Sequence, residues 1–319
     1  MKQCSTNYQN FMSQDETQNF VHTPTILKQV FHKRGITPNK RFGQNFLIDQ
    51  NTLVSIPVIA DLKEDDVVLE IGTGTGGLTR LLADTSRHVF TVEVDKKLFE
   101  LSADTLKLYK NTTAFHADIL KTKHALNPDI TSYILDWLKE NNQTQIKVVS
   151  NLPYHISTPV IIVLLESDLP IESMVFMLQR EITERMMAAP GTREYGILTV
   201  ITHLFSEVEV VKILPPEVFW PKPDVHSALV KLTIHKENVK DRIRSYPFFT
   251  KVIAAIFETR RKTLLNSLAH FELLKLSRED IKGILEEMKL DERIRGEALS
   301  LDQLIHFSEA LYQYGKNGK

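Results

Sequence analysis

Four glycines within six residues, Gly72, Gly74, Gly76 and Gly77, constrain this chain more than any other feature; they are a third of the 12 it contains. They follow the apolar run VVLEI and precede LTRLLAD, which begins a helix. Glycine is needed where backbone turns with positive φ, or where a ligand comes too close for a Cβ. A strand, a glycine turn and a helix in that order form the opening unit of an α/β sheet, with a small-molecule site at the turn. Gly72, Gly74 and Gly77 satisfy GxGxxG, the dinucleotide fingerprint, while Gly72, Gly74 and Gly76 satisfy GxGxG, common in methyltransferases. Glu93, 21 residues beyond Gly72, ends the second apolar run, where a carboxylate accepts hydrogen bonds from ribose hydroxyls. Asp118, after the third run, could hold the amino group of an adenine ring. The loop therefore points to an adenosine-containing cofactor without saying which one.

The rest of the chain continues the alternation. Apolar runs at Val67–Ile71, His88–Val94, Thr112–His116, Ile146–Ser150, Met174–Leu178, Val208–Leu214 and Ala228–Ile234 predict seven strands. The first five are separated by segments long enough for crossover helices, which implies a mainly parallel sheet covered on both faces. The Pro-rich connection LPPEVFWPKPDVHS before the last run predicts antiparallel pairing of the final strands. After residue 236 the apolar spacing turns helical, with caps predicted at Ser277 and Ser300 and a helix stop at Gly315. The expected organisation is a polar, frayed extension over 1–20, an α/β domain over 21–235 and a small all-helical domain over 236–319.

Several classes are excluded. The longest apolar run, Val160 to Leu165, stops at Glu166, far short of the about 18–20 residues that span a bilayer. The start MKQCSTNYQN carries no apolar signal core, so a cytoplasmic location is expected. Cys4 is the lone cysteine, and the histidines show no HxxxH or HxH pairing, so no metal site is expected. The formal charge of −1 hides local structure. Thr17 to Ile48 holds Lys28, Lys33, Arg34, Lys40 and Arg41 with no acid, and Arg260-Arg261-Lys262 forms a second cluster. Local fields rather than totals attract phosphates, yet such clusters also occur as solvated faces.

The tetrapeptide Asn151-Leu152-Pro153-Tyr154 ends the fourth strand, where parallel sheets face their ligand crevice. Adenine's exocyclic nitrogen is a poor nucleophile because its lone pair is delocalised into the ring. Acceptors on both amine hydrogens favour the tetrahedral nitrogen that attacks a sulfonium methyl. The Asn151 side-chain oxygen and the Leu152 carbonyl can be those acceptors. Pro153 restricts Leu152 to extended conformations, and Tyr154 offers a stacking face worth about 1–3 kcal/mol per base. No general base is obligatory, since the methylated amine is acidic enough to lose its proton afterwards.

With these residues the chain resembles the ribosomal RNA small-subunit adenine dimethyltransferases. The resemblance rests on RFGQNFLID (41–49), VLEIGTGTGGLT (68–79), VEVDKKL (92–98), NLPYHISTPVI (151–161), MLQREITERM (177–186), PGTREYGILTV (190–200), LPPEVFWPKPDVHSALVKL (214–232) and FETRRKTLLNSL (257–268). It implies an α/β fold, a Rossmann-like seven-stranded S-adenosylmethionine-dependent methyltransferase sheet with a helical C-terminal domain. It also implies methyl transfer to N6 of two neighbouring adenosines in the 3′-terminal hairpin loop of 16S rRNA, two methyls on each. The partner is then the 30S subunit or its precursor, met by a monomer. Cofactor contacts are implied at Asn45 and Leu47, at Gly72 and Gly74, and at Glu93, Asp118 and Asn151. Substrate contacts are implied at Tyr154 and at Phe219, a second stacking aromatic. Arg260, Arg261 and Lys262, with Lys33, Arg34, Lys40 and Arg41, are expected on one face that meets the subunit.

The chain departs from that pattern in places. The loop reads GTGTGG where the family commonly has proline after the first glycine. The segment 121–146 reads as a helical insertion between strands three and four. Rival readings are a 23S rRNA adenine methyltransferase, against which RRKTLLNSL speaks, and an assembly factor whose binding outweighs its catalysis. A nicotinamide dehydrogenase would leave NLPY unexplained.

Overall fold

A computed structural model describes residues 23–38, 43–237, 239, 243–268 and 277–317 of the chain. The predicted extension 1–20, together with Lys40 and Arg41, lies outside the described residues.

The chain opens with α1 (Pro24–Arg34), β1 (Phe46–Leu47) and α2 (Gln50–Ile59). The α/β alternation then runs β2 (Val67–Ile71), α3 (Gly77–Thr85), β3 (His88–Glu93), α4 (Lys96–Leu106), β4 (Thr112–His116). A small hairpin, β5 (Leu120–Thr122) and β6 (Ala125–Leu126), leads to α5 (Pro128–Glu140) and β7 (Ile146–Asn151). Next come α6 (Ser157–Glu166), β8 (Ile171–Gln179), α7 (Arg180–Met186), α8 (Ile197–Phe205) and β9 (Ser206–Leu214). β10 (Phe219–Trp220) and β11 (Ser227–Ile234) finish the sheets, and α9 (Tyr246–Glu258), α10 (Leu264–Leu268), α11 (Arg278–Glu287) and α12 (Leu301–Asn317) follow.

All seven predicted strands form one sheet in the order β4-β3-β2-β7-β8-β11-β9. Pairs from β4 through β8 are parallel, and β11 runs antiparallel to both β8 and β9. β2 and β3 are buried at every residue, as strands sandwiched between helix layers must be. Strand order reverses between β2 and β7, so their C-terminal ends splay apart into a crevice. The glycine loop leaves β2 there and the NLPY tetrapeptide leaves β7 there.

The reading of 121–146 as an insertion is corrected. Its helix, α5, is the crossover that a parallel connection from β4 to β7 requires, and Ile130, Ile134 and Leu138 are buried in the main core.

The C-terminal helices do not carry a core of their own. Phe249, Ile253, Leu285 and Phe307 belong to the same apolar cluster as Leu198, Ile201 and Phe205 of α8. The predicted caps form: Ser277 and Asp280 make a reciprocal capping box, and Ser300 exchanges backbone–side-chain bonds with Gln303. The predicted stop at Gly315 does not occur, because α12 continues to Asn317. A glycine near a helix end costs only about 1 kcal/mol, and the packed turns before it outweigh that.

Candidate active site

The glycine loop turns where β2 ends, with Gly72 at φ +89°, Gly74 at +56° and Gly76 at +78°. At Gly74 space is also required, since a Cβ would stand 3.3 Å from the Phe46 ring. The turn leaves the Gly74 N–H pointing at β3, where it donates to Glu93 Oε2 at 2.8 Å, while the Asp95 N–H donates to Oε1 at 2.9 Å. Burial raises the Glu93 pKa, and these backbone donors pull it back toward the ionised form. The carboxylate is thus aimed by the loop it supports, and each oxygen keeps a lone pair for a ligand hydroxyl.

Beneath the loop lies a residue that the sequence patterns do not single out. Glu70 of β2 is buried and accepts hydrogen bonds on Oε2 from Thr79 at 2.6 Å and Thr91 at 2.7 Å. Thr91 in turn bonds Thr73 at 2.6 Å, so one carboxyl group ties the loop to β3 and to the start of α3. Desolvation pushes the Glu70 pKa up to about 8. A signal is nonetheless present: a glutamate inside VVLEI, in a strand buried on both faces, is out of place unless it has partners.

The NLPY segment reaches the same cavity from β7. Asn151 donates its Nδ2 to the Asn45 carbonyl at 2.9 Å. The amide is thereby oriented: its nitrogen is spent on the 43–47 segment, and no donor among the described residues takes its Oδ1. Leu152 buries its side chain, and no described backbone N–H ends on its carbonyl. Pro153, at φ −56° and ψ 127°, keeps the chain extended before a 3₁₀ turn at Tyr154–Ile156. Tyr154 lines the cavity, and its hydroxyl bonds Ser227 Oγ at 2.7 Å.

The 43–47 segment closes over both loops. Gly43 packs so tightly that a Cβ would meet the Tyr154 backbone nitrogen at 3.0 Å. Asn45 and Leu47 line the cavity with Gly72, Gly74 and Asn151. β1 is held by antiparallel pairing with β10, which matches Phe46 to Trp220 and Leu47 to Phe219. Phe46, Phe31 of α1 and Trp220 form an aromatic cluster with centroids 5.2–6.4 Å apart.

Other predicted residues fall differently. Asp118 is exposed at the cavity mouth, where Oδ1 accepts the Leu120 N–H at 2.9 Å. Phe219 is not brought to the cavity: it is 2% exposed and packs with Leu47 and Leu53, because the β1–β10 pairing turns it into the core. Arg260 is not free for a substrate phosphate. Its guanidinium bonds Glu297 at 2.7–2.8 Å and the Arg193 carbonyl at 2.6 Å, fastening α9 to the loop before α8. Arg261 and Lys262 are exposed and form no ion pair among the described residues. Lys33 is also exposed, while Arg34 pairs with Asp104 at 2.6 Å. Among the described residues no cluster of His, Cys, Asp or Glu could hold a metal ion, and no helix is long and apolar enough to cross a membrane.

The cavity suits an adenosine-bearing ligand. It offers a glycine turn without Cβ atoms, buried Glu93 for ribose hydroxyls, and Asp118 at the rim for an amino group. Beside this stands an amide whose acceptor end is open and an aromatic ring.

The family model described as Ribosomal RNA adenine dimethylase matches residues 35–306. Two relatives described as Ribosomal RNA small subunit methyltransferase A are similar over most of their length. That of Halothermothrix orenii is 38% identical over 92% of this chain and 94% of its own. That of Lachnoclostridium phytofermentans is 39% identical over 92% and 98%. Among solved structures, a dimethyladenosine transferase from Plasmodium falciparum superposes with a TM-score of 0.68 at 25% identity, covering 85% of this chain and 97% of that one. The 23S rRNA methyltransferase ErmE superposes at 0.58 with 26% identity, covering 84% and 100%.

Proposed function

The chain belongs to the ribosomal RNA adenine dimethylases, and from that premise we propose that it methylates N6 of two neighbouring adenosines in the 3′-terminal hairpin loop of 16S rRNA, twice each, on the small subunit in the cytoplasm. S-adenosylmethionine, when bound, supplies an electrophilic methyl on a sulfonium. The chain's own residues do the rest by placement. Gly72, Gly74, Glu93 and Asp118 would hold the adenosyl part, with the 43–47 segment beside it. The target adenine, turned out of its loop, lies against Tyr154. Asn151 Oδ1 and the Leu152 carbonyl accept from its amine, drawing the nitrogen lone pair out of the ring and toward the methyl. The amine proton leaves to solvent after transfer. Positioning of this kind is worth several powers of ten in rate.

The observation that carries the reading is the Asn151–Asn45 hydrogen bond, which turns the acceptor end of the amide away from the 43–47 segment. The test is transfer of labelled methyl from S-adenosylmethionine to 30S subunits lacking the modification, with 50S subunits and naked RNA as controls. Label confined to two adjacent adenosines of 16S rRNA is expected. Label on 50S subunits would favour instead the second reading, a 23S enzyme, to which the likeness to ErmE gives some support. No label anywhere, with growth rescued by Asn151→Ala, would favour an assembly factor.

A further inference from the structure

Tyr154 stands in the 3₁₀ turn after β7, yet its hydroxyl is bonded at 2.7 Å to Ser227, the first residue of β11. β8 lies between those strands in the sheet. The side chain therefore spans the C-terminal end of β8, where Ser227 is paired with Gln179. Ser227 itself is fully buried, so its hydroxyl sits in the sheet rather than on a mobile loop. A phenol tied at the Cα end by a proline-braced turn and at the oxygen end by a strand residue has the direction of its long axis set at both ends. With its oxygen engaged, the phenol is also poorly placed to exchange a proton with a substrate; burial raises its pKa and outweighs the lowering by the Ser227 bond. What Tyr154 has left to offer the cavity it lines is its ring.

We propose that Ser227 is a positioning residue for methyl transfer, holding the long axis of the Tyr154 ring across the sheet edge so that a flat, π-faced base finds the ring already in place. The proposal rests on the functional reading above and extends it to a residue that touches neither cofactor nor target. Losing the lock leaves Tyr154 present but mobile, so the cost falls on productive seating of the base and not on the cofactor.

The test is a double-mutant cycle read by single-turnover methyl transfer to 30S subunits lacking the modification, with S-adenosylmethionine affinity measured in parallel. Ser227→Ala is expected to slow transfer about five- to tenfold, with cofactor affinity within about twofold of wild type. Tyr154→Phe removes the same bond from the other side and should lose a similar factor. The double variant should be no slower than the slower single one. Multiplying defects, or a wild-type rate for Ser227→Ala, would overturn the proposal. Equal loss of cofactor affinity and melting temperature would also overturn it, since that marks Ser227 as structural only. A wild-type protein that labels no adenosine fails the functional reading, and this proposal falls with it.

Discussion

Glu70 is buried inside the sheet and Asn151 stands partly buried at its cavity end, and each is held by specific partners. Glu70 has a pKa near 8 in the folded protein against 4.5 for an ordinary glutamate, mainly because burial disfavours its charge. The folded state therefore keeps a proton that the unfolded chain has already released between those values. Stability contributed by this group is complete below about pH 4.5 and declines as pH rises toward 8. Glu70→Gln should flatten the fall in melting temperature between pH 5 and about 8.5, measured calorimetrically; an unchanged slope would assign the decline to other groups. Asn151 is held at its nitrogen by Asn45, and under the proposed function its oxygen is left for the target. Asn151→Asp sets a carboxylate oxygen against the Asn45 carbonyl, an acceptor facing an acceptor. Transfer should fall by about 10²–10³, the typical cost of removing one well-placed transition-state hydrogen bond. A single-turnover assay decides this, and an active Asp variant would show that amide orientation is unimportant.

At the scale of elements, the segment around β1 matters more than its two residues suggest. It pairs with β10, lies on Gly74 through Phe46, and bonds Asn151 through the Asn45 carbonyl. Its backing comes from α1, which starts at a Thr23 cap, ends in a left-handed Gly35, and buries Leu27 and Phe31. Phe31 is 2% exposed, does not line the cavity, and shares an apolar cluster with Phe46 and Leu98, which do. Phe31→Ala should cost about 3–5 kcal/mol, the usual range for a buried phenylalanine. It should also weaken S-adenosylmethionine binding, because the cover over the glycine loop loses its support. Denaturant unfolding and calorimetric titration check the two effects separately; a stability loss with unchanged cofactor affinity would show that the segment needs no backing from α1.

For the whole molecule, the question is how the sheet and the C-terminal helices act together on a large, charged partner. They share one apolar cluster, and polar links cross the junction: Arg260, held by Glu297, to the Arg193 carbonyl, Tyr195 to the Leu299 carbonyl, and Tyr246 to Glu166. Arg260 and its neighbours therefore do different work. Arg260→Ala should lower the melting temperature by loosening the junction. Arg261→Glu with Lys262→Glu should leave the melting temperature and cofactor affinity alone and weaken binding to 30S subunits. The salt dependence of that binding should also soften, by a slope of about 0.7–0.9 for each phosphate that is no longer neutralised. Filter binding across a salt series tests this, and an unchanged slope would remove the cluster from the interface.

The sequence by itself determined the sheet, the caps and the cofactor turn, because these depend on local matters: apolar period, glycine at positive φ, a serine before a helix. It also marked Asn151 and Tyr154, since a strand end followed by proline has few conformations. Long-range pairing was beyond it. Phe219 reads as a second stacking aromatic until pairing with β1 buries it, and Arg260 reads like Arg261 until Glu297 stands beside it. Ser227 is one serine among many until a tyrosine from two strands away reaches it. Only the tertiary structure decided those roles, because burial and hydrogen-bond partners are properties of neighbours distant in the chain, and no local pattern encodes which they will be.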